Sequence, residues 1–397
     1  MLGAAQVSAA SSPGEGETQP QPVLGRELRV LVVCPGVAHI ARGFETFAQE
    51  CFAALREQHG LRVALVGASG PIGDGRHRAR SLRKEGLLAR ALGVTVGRDG
   101  YWVEQLGFAL ALLPLLRRAA PDVVYFSDWV LGLALGRLRD RTGMRFKLLM
   151  SNGAPGYPPF DSAFDHVQQL TPPLYEAALA GGEPPERHTL LPLGVAVGPP
   201  PRRLRDDERA ALRRRLGLPQ DDEILLSVAA LNCWSKRLDF LAREVARLEP
   251  RPHLVLLGER DDEAGRVIAA ARAALGGDGF SVRTVPPDSV GDYYRAADMA
   301  VLASIHESMG RVLVEALSHG LRAVAHDSEV IRCVTGGHTL LCDLRHDGSV
   351  AAAIAQARRM PDDDEARRTR HAYARERFGW DALRPRYLDM LQRCAAS

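Results

Sequence analysis

Short continuous apolar runs, each broken by Gly or Pro and followed by a helix-periodic stretch, recur along this chain and leave it few folds to choose from. Leu28 to Cys34 (LRVLVVC) is the first. A run of that kind reads as a strand covered on both faces. Pro35 and Gly36 end it, a loop leads to Gly43, and residues 44–59 carry helical spacing. Residues 61–66, 122–126 and 146–150 read as further strands, with a helix over 132–141. The pattern restarts after residues 192–201 (PLGVAVGPPP), whose Gly and Pro content marks a linker. A charged helix over 206–216 leads into strands at 224–229, 253–257, 281–285, 299–303 and 323–325, with helices between them and terminal helices over 364–392. Strands alternating with helices predict parallel sheets wound right-handedly. One such sheet per half would turn the carboxyl ends of its strands toward a cleft, where ligands of open α/β sheets bind.

The totals narrow the function. A length of 397 residues suits two domains. A formal net charge of +3, with no basic run carrying interleaved aromatics, argues against a nucleic-acid partner. The six cysteines are scattered without a C-x-x-C, which fits reduced thiols in a cytoplasm and speaks against disulfides and structural zinc. No apolar run reaches the roughly 18 residues of a membrane span. Residues 1–27 read as a disordered leader, lacking the basic start and apolar core of a signal peptide. Heavy use of Arg and Ala hints at a GC-rich bacterial genome.

The chemistry concentrates in Glu307-Ser308-Met309-Gly310-Arg311-Val312-Leu313-Val314-Glu315, two carboxylates flanking seven residues. An apolar run precedes it and an amphipathic pattern ending at Gly320 follows, so it reads as strand, glycine-containing loop, helix. That arrangement offers a helix N-terminus to a phosphate. Glu307 would lie in the loop at the carboxyl end of the strand. Glu315 would point back toward a sugar diol, or simply pair with Arg311 at i,i+4. A second motif, Ser227 to Leu238, puts Lys236 and Arg237 near a helix start, suited either to an anion or to solvent. The loop after the first strand carries Gly36 and Gly43, and no G-x-G-x-x-G, which argues against an NAD enzyme. After the 146–150 strand come Asn152 and, further on, His166; His39 and His306 are weaker candidates. Two acidic runs, 206–208 and 362–365, begin helices and read as N-terminal caps, not metal ligands. Residues 76–90 are rich in arginine and read as a solvated helix or a surface for an anionic acceptor or phospholipid.

The segment from Tyr293 to Gly320 resembles, almost throughout, the donor site of retaining GT-B glycosyltransferases, family 4 (group 1). The resemblance runs from about Leu28 to Gln392, specific in the second half and loose in the first. It implies an α/β chain of GT-B architecture, with two Rossmann-like domains facing a central cleft: an acceptor domain over 28–195, a donor domain over 196–378, and a last helix over 379–397 crossing back to the first domain. It implies transfer of a sugar from a nucleotide diphosphate sugar to a hydroxyl acceptor, with retention, no metal, no other cofactor and frequent peripheral membrane contact, here through Arg76 to Lys84. By residue, it implies Glu315 on the ribose and Glu307 on the donor sugar. Lys236, with Arg237 or Arg311 and the N–H groups around Gly310 to Val312, would hold the diphosphate, and Gly36 and Gly43 would approach from the opposite domain. The chain departs from the family twice. Ala230 stands where an arginine is usual, leaving Arg237, Arg311 or Asn232 to supply that contact. Asn152 stands where a histidine is usual, and an amide cannot carry a proton. A non-catalytic GT-B subunit and a nucleotide-sugar epimerase are the competing readings.

Overall fold

A computed structural model describes residues 26–37, 43–81, 100–153 and 163–397. In the first half, β1 (Leu28–Val33), β2 (Leu61–Gly67), β3 (Arg76–Arg78), β4 (Val123–Phe126), β5 (Lys147–Asn152), β6 (His166–Gln169) and β7 (His188–Leu190) make one parallel seven-stranded sheet in the order β3-β2-β1-β4-β5-β6-β7. Among the described residues its helices are α1 (Gly43–Leu55), α2 (Gly100–Ala119), α3 (Trp129–Thr142) and α4 (Pro172–Ala180). In the second half, β8 (Ile224–Val228), β9 (His253–Leu257), β10 (Phe280–Arg283), β11 (Met299–Leu302), β12 (Ala323–His326) and β13 (Leu340–Cys342) make a parallel six-stranded sheet in the order β10-β9-β8-β11-β12-β13. Around it lie α5 (Asp206–Leu216), α6 (Leu238–Val245), α7 (Ala264–Leu275), α8 (Pro287–Ala296), α9 (Arg311–Ser318), α10 (Glu329–Thr335) and α11 (Ser349–Arg359), before α12 (Asp364–Phe378) and α13 (Trp380–Ala396) close the chain.

Both sheets reverse their winding beside the first strand, between β1 and β4 and between β8 and β11. At such a point neighbouring loops leave the carboxyl edge in opposite directions and open a crevice. The carboxyl edges of the two sheets meet: Thr171, just past β6, donates its hydroxyl to the Ser308 carbonyl, just past β11, at 3.3 Å.

The strands are buried because helices cover both faces, which is why they read as unbroken apolar runs. One core is shared between the halves. It joins Phe47, Phe52 and Tyr125 of the first half to Met309, Val314 and Leu317 of the second, and takes in Trp380, Tyr387 and Met390 of α13. That last helix packs against α1, β4 and β5, with the Phe47 and Trp380 rings stacked at 5.9 Å between centroids. The chain therefore crosses between halves twice, and the crossings touch where Val195 N–H donates to the Phe378 carbonyl at 2.8 Å.

Several local expectations change. Residues 76–78 are not helical but form β3, the edge strand, with the Arg76 guanidinium 5.0 Å from the Phe52 ring centre; Arg83, Lys84 and Arg90 lie outside the described residues, as do His39 and residues 1–25. The 132–141 helix begins earlier, at Trp129, because Asp128 caps it by accepting from Leu131 N–H at 3.0 Å. The acidic runs do open helices, with Asp363 capping α12 by accepting from Ala366 N–H at 2.8 Å. No helix among the described residues is long and apolar enough to cross a membrane.

Candidate functional site

The loop from β8 to α6 is built around one amide. Asn232 is buried, and its Oδ1 accepts from Ser235 N–H at 3.2 Å, the Ser235 hydroxyl at 3.0 Å and Lys236 N–H at 2.9 Å. Its Nδ2 donates to Asp261 at 2.9 Å, while the Glu263 carboxylate accepts from the N–H groups of Cys233 and Trp234 at 2.9 and 3.1 Å. With the backbone pinned at both ends, Lys236 reaches across the switch point and donates from Nζ to Glu307 Oε1 at 2.5 Å. The two residues come from loops on adjacent strands, β8 and β11, and both side chains keep some exposure, 27 and 14%.

Past Glu307 the chain turns into α9 through Gly310, whose φ is +68°. That backbone favours glycine, and a Cβ there would sit 2.9 Å from Ile331 Cδ1, whose terminal methyl would have to shift. The first-turn N–H groups of α9, at Arg311 and Val312, have no carbonyl four residues back within the helix and make it a site for negative charge.

The structure redirects the two arginines considered for the diphosphate. Arg311 is only 7% exposed. Its Nε donates to Glu315 at 2.9 Å, one terminal nitrogen to the Gly194 carbonyl at 2.5 Å and the other to Glu50 of α1 at 2.5 Å. It is a bridge between the halves, with its donors spent on protein. Burial opposes its charge, but Glu315 and Glu50 outweigh that and hold its pKa above the ordinary value. Arg237 adopts a left-handed backbone, donates to the Leu344 carbonyl at 2.7 Å and lies 4.1 Å from the Phe240 ring centre, so its guanidinium is engaged by protein groups. Asn232 is scaffold for Lys236. Of the cations weighed for this role, Lys236 alone remains at the crevice. Glu315 is partly buried and accepts from the Tyr294 hydroxyl at 3.0 Å as well as from Arg311. Burial raises its carboxyl pKa, against the pull of Arg311.

Asn152 ends β5, in register with Gln169, and donates to that residue's side chain at 2.8 Å. Gln169 in turn contacts His188 Nδ1 at 3.1 Å. His166 begins β6 at the opposite, amino edge of the sheet, so it cannot face the cleft; it is 1% exposed and its Nε2 meets Thr189 Oγ1 at 2.8 Å. Burial, helped by the nearby His188, pushes its pKa down to about 4. His306 is exposed on the loop before Glu307. Gly36 is tight against Glu45, whose Oε1 would lie 2.4 Å from an added Cβ, whereas at Gly43, the start of α1, an added Cβ would meet nothing within 4 Å among the described residues.

At the carboxyl ends of β1 and β4 lies a cavity of about 180 Å³ that sequence reasoning missed, lined by Glu45, Tyr101, Glu104, Gln105 and Asp128 among others. Only the cap position of Asp128 gave a signal. Among the described residues no group of His, Cys, Asp and Glu could hold a metal ion.

Residues 222–359 match the family model for glycosyl transferases group 1. They are a glycosyltransferase group 1 domain. That domain contains both Lys236 and the Glu307 to Glu315 segment. Over 239 residues the chain is 30% identical to the D-inositol 3-phosphate glycosyltransferase of Thermobispora bispora, covering 53% of this chain and 52% of that relative. The chain spans about half the length of the curated relatives it matches. Two solved structures extend the likeness to the whole fold. Sucrose-phosphate synthase from Thermosynechococcus elongatus superposes with a TM-score of 0.68 at 20% identity, over 94% of this chain and 100% of that one. HepE of Anabaena, in complex with UDP-glucose, superposes with a TM-score of 0.67 at 14% identity, over 93% and 99%. The two facing parallel sheets are thus a GT-B architecture.

Proposed function

We propose that this chain is a retaining glycosyltransferase, moving a sugar from a nucleotide diphosphate sugar to a hydroxyl acceptor without a metal ion. The observation that carries the reading is the Lys236–Glu307 contact at the β8/β11 switch point, beside the N-terminus of α9. Lys236 and the N–H groups at Arg311 and Val312 would stabilise the departing diphosphate as its charge grows. Glu307 would exchange Lys236 for hydroxyls of the donor sugar and fix its orientation. Glu315 would accept from the ribose diol. In a front-face displacement the anomeric carbon–phosphate bond breaks and the bond to the acceptor oxygen forms on the same side. The acceptor's proton passes to the leaving phosphate oxygen, so no protein base is needed. Lys236 and the helix terminus supply the positive charge a metal would otherwise bring. UDP-sugars are the first donors to test, since the HepE structure holds one. The free cysteines favour a cytoplasmic setting.

A non-catalytic GT-B subunit is the second reading, favoured by Ala230, by Asn152 and by the engagement of both Glu315 oxygens. Turnover decides. With UDP-sugars, Lys236→Ala and Glu307→Ala should each lower kcat by about 10²-fold or more while the circular dichroism spectrum is kept. Wild-type rates in either variant would refute the assignment, and a nucleotide-induced thermal shift that requires Mg²⁺ would refute metal independence.

A further inference from the structure

The buried guanidinium of Arg311 joins two places with different jobs. On one side is Glu315. Arg311 Nε donates to its Oε1 at 2.9 Å, and the Tyr294 hydroxyl to its Oε2 at 3.0 Å. The Tyr294 ring is itself stacked on His319, with 5.3 Å between centroids. An ionised carboxylate has about four lone-pair sites. Two are taken here and fix the plane of the group, which leaves a site on each oxygen for the two hydroxyls of a ribose.

On the other side are the two crossings between the halves. One terminal nitrogen of Arg311 donates to the Gly194 carbonyl and the other to Glu50 Oε1, each at 2.5 Å. Glu50 belongs to α1, in the first half. Its Oε2 accepts from Ala196 N–H at 2.9 Å, on the first crossing, and from the Trp380 indole N–H at 3.5 Å, on the second. The crossings lie against each other, since a Cβ on Gly194 would sit 2.6 Å from the Trp380 ring. A guanidinium is flat and rigid, so three fixed partners define its plane. A turn of the first half against the second moves Glu50 relative to α9 and tilts that plane. Apolar side chains of similar volume often serve a buried site as well as ions do; what ions can add is one permitted arrangement.

We infer that Glu50 is a positioning residue for the donor, acting through Arg311: it holds Glu315 in the orientation that receives the ribose, so the second half grips the nucleotide fully only while the first half is aligned with it. The inference rests on the ribose role proposed for Glu315 above. Glu50 acts without touching the nucleotide. The coupling is reciprocal, so a ribose at Glu315 favours the aligned arrangement of the halves.

The test is calorimetric titration of the full chain with UDP and with 2′,3′-dideoxyuridine 5′-diphosphate, which differ only in the two ribose hydroxyls. Wild type should bind UDP more tightly by about tenfold or more, the worth of a hydrogen bond to a charged group. In Glu50→Gln that preference should fall to about threefold or less through weaker UDP binding, while the Kd of the dideoxy compound stays within about twofold of wild type. A side chain that only stabilised the fold would weaken both ligands together or neither. Glu50→Asp guards against misfolding. It keeps the negative charge but draws it back from Arg311 by one methylene, and it should lose the preference too. If wild type prefers UDP and the folded variants keep that preference, or weaken both ligands alike, the inference is overturned while the ribose role of Glu315 stands. If wild type shows no preference, the ribose role falls and the inference with it.

Discussion

Arg311 carries a load that one substitution exposes. Arg311→Met keeps the length and apolar stem of the side chain but removes the charge between Glu50 and Glu315. The lost contacts are two ion pairs, at 2.5 and 2.9 Å, and a hydrogen bond to the Gly194 carbonyl at 2.5 Å. Breaking a buried pair by removing one partner costs about 3–5 kcal/mol, chiefly because the other charge is left uncompensated. Two carboxylates are orphaned here, yet each keeps neutral partners: Tyr294 for Glu315, and Ala196 N–H at 2.9 Å for Glu50. The cost should therefore fall within that range and not exceed it. It should also depend on pH. Burial already raises the Glu315 pKa while Arg311 lowers it, so the variant's carboxyl titrates higher still. A folded-state pKa above the unfolded one gives stability that is present below the unfolded pKa and lost as pH rises through the folded value. The deficit should deepen from pH 5 to pH 8. Urea unfolding followed by tryptophan fluorescence is the assay, with Trp380 next to Glu50 as reporter. The double variant Arg311→Met/Glu50→Gln should be less destabilised than the sum of its parts, since it buries one charge fewer. A deficit below about 1 kcal/mol, the same at both pH values, would place Arg311 among ordinary surface pairs and refute the reasoning.

Three further outcomes can be checked. His166 titrates near 6.5 when unfolded and at about 4 when folded, so wild-type stability should fall as pH drops from 6.5 toward 4, by roughly 3 kcal/mol at about 1.4 kcal/mol per unit; in His166→Gln the fall should be shallower, though His319, also pushed down to about 4, keeps part of it, and an unchanged slope would show that His166 is not the group. Gly310→Ala should cost about 1–3 kcal/mol in urea unfolding, from a left-handed backbone that alanine resists and from the clash with Ile331, and a neutral result would mean that the turn into α9 relaxes freely. Asn232→Ala leaves the Lys236 side chain present but its loop unpinned, and should lower kcat/KM by about 10²-fold with much less effect on overall stability; unaltered kinetics would show that Lys236 positions itself.

The second half of the chain was readable because its signals are local. The run MAVL, the glycine after Glu307 and the apolar spacing of 311–318 lie within one window, and strand, turn and helix follow from them. The paired strand order then brings Lys236 beside Glu307, which the motifs implied but only the sheet produces. The first half hid more. Strand β6 is HVQQ, entirely buried, with nothing apolar to announce it except Val167. Its amides are satisfied far away in sequence, Gln168 by the Leu191 carbonyl and by Tyr387 of the last helix. Arg311 shows the same limit. Its i,i+4 spacing to Glu315 is visible in the chain, but the partner that decides its role, Glu50, is 261 positions away. The pocket around Gln105 and Asp128 is assembled from four separate elements, and although the strand and helix patterns of β1 and α1 are readable, no motif ties their ends to Gln105 and Asp128.

The double crossing between halves has a mechanical consequence. A single tether would let one half swivel about the other in any direction. Here the two crossings touch through one parallel bridge, between Val195 and Gly379. Two tethers held together at one point leave less freedom of rotation than one, so the halves are restrained relative to each other at the same place where the chain passes between them.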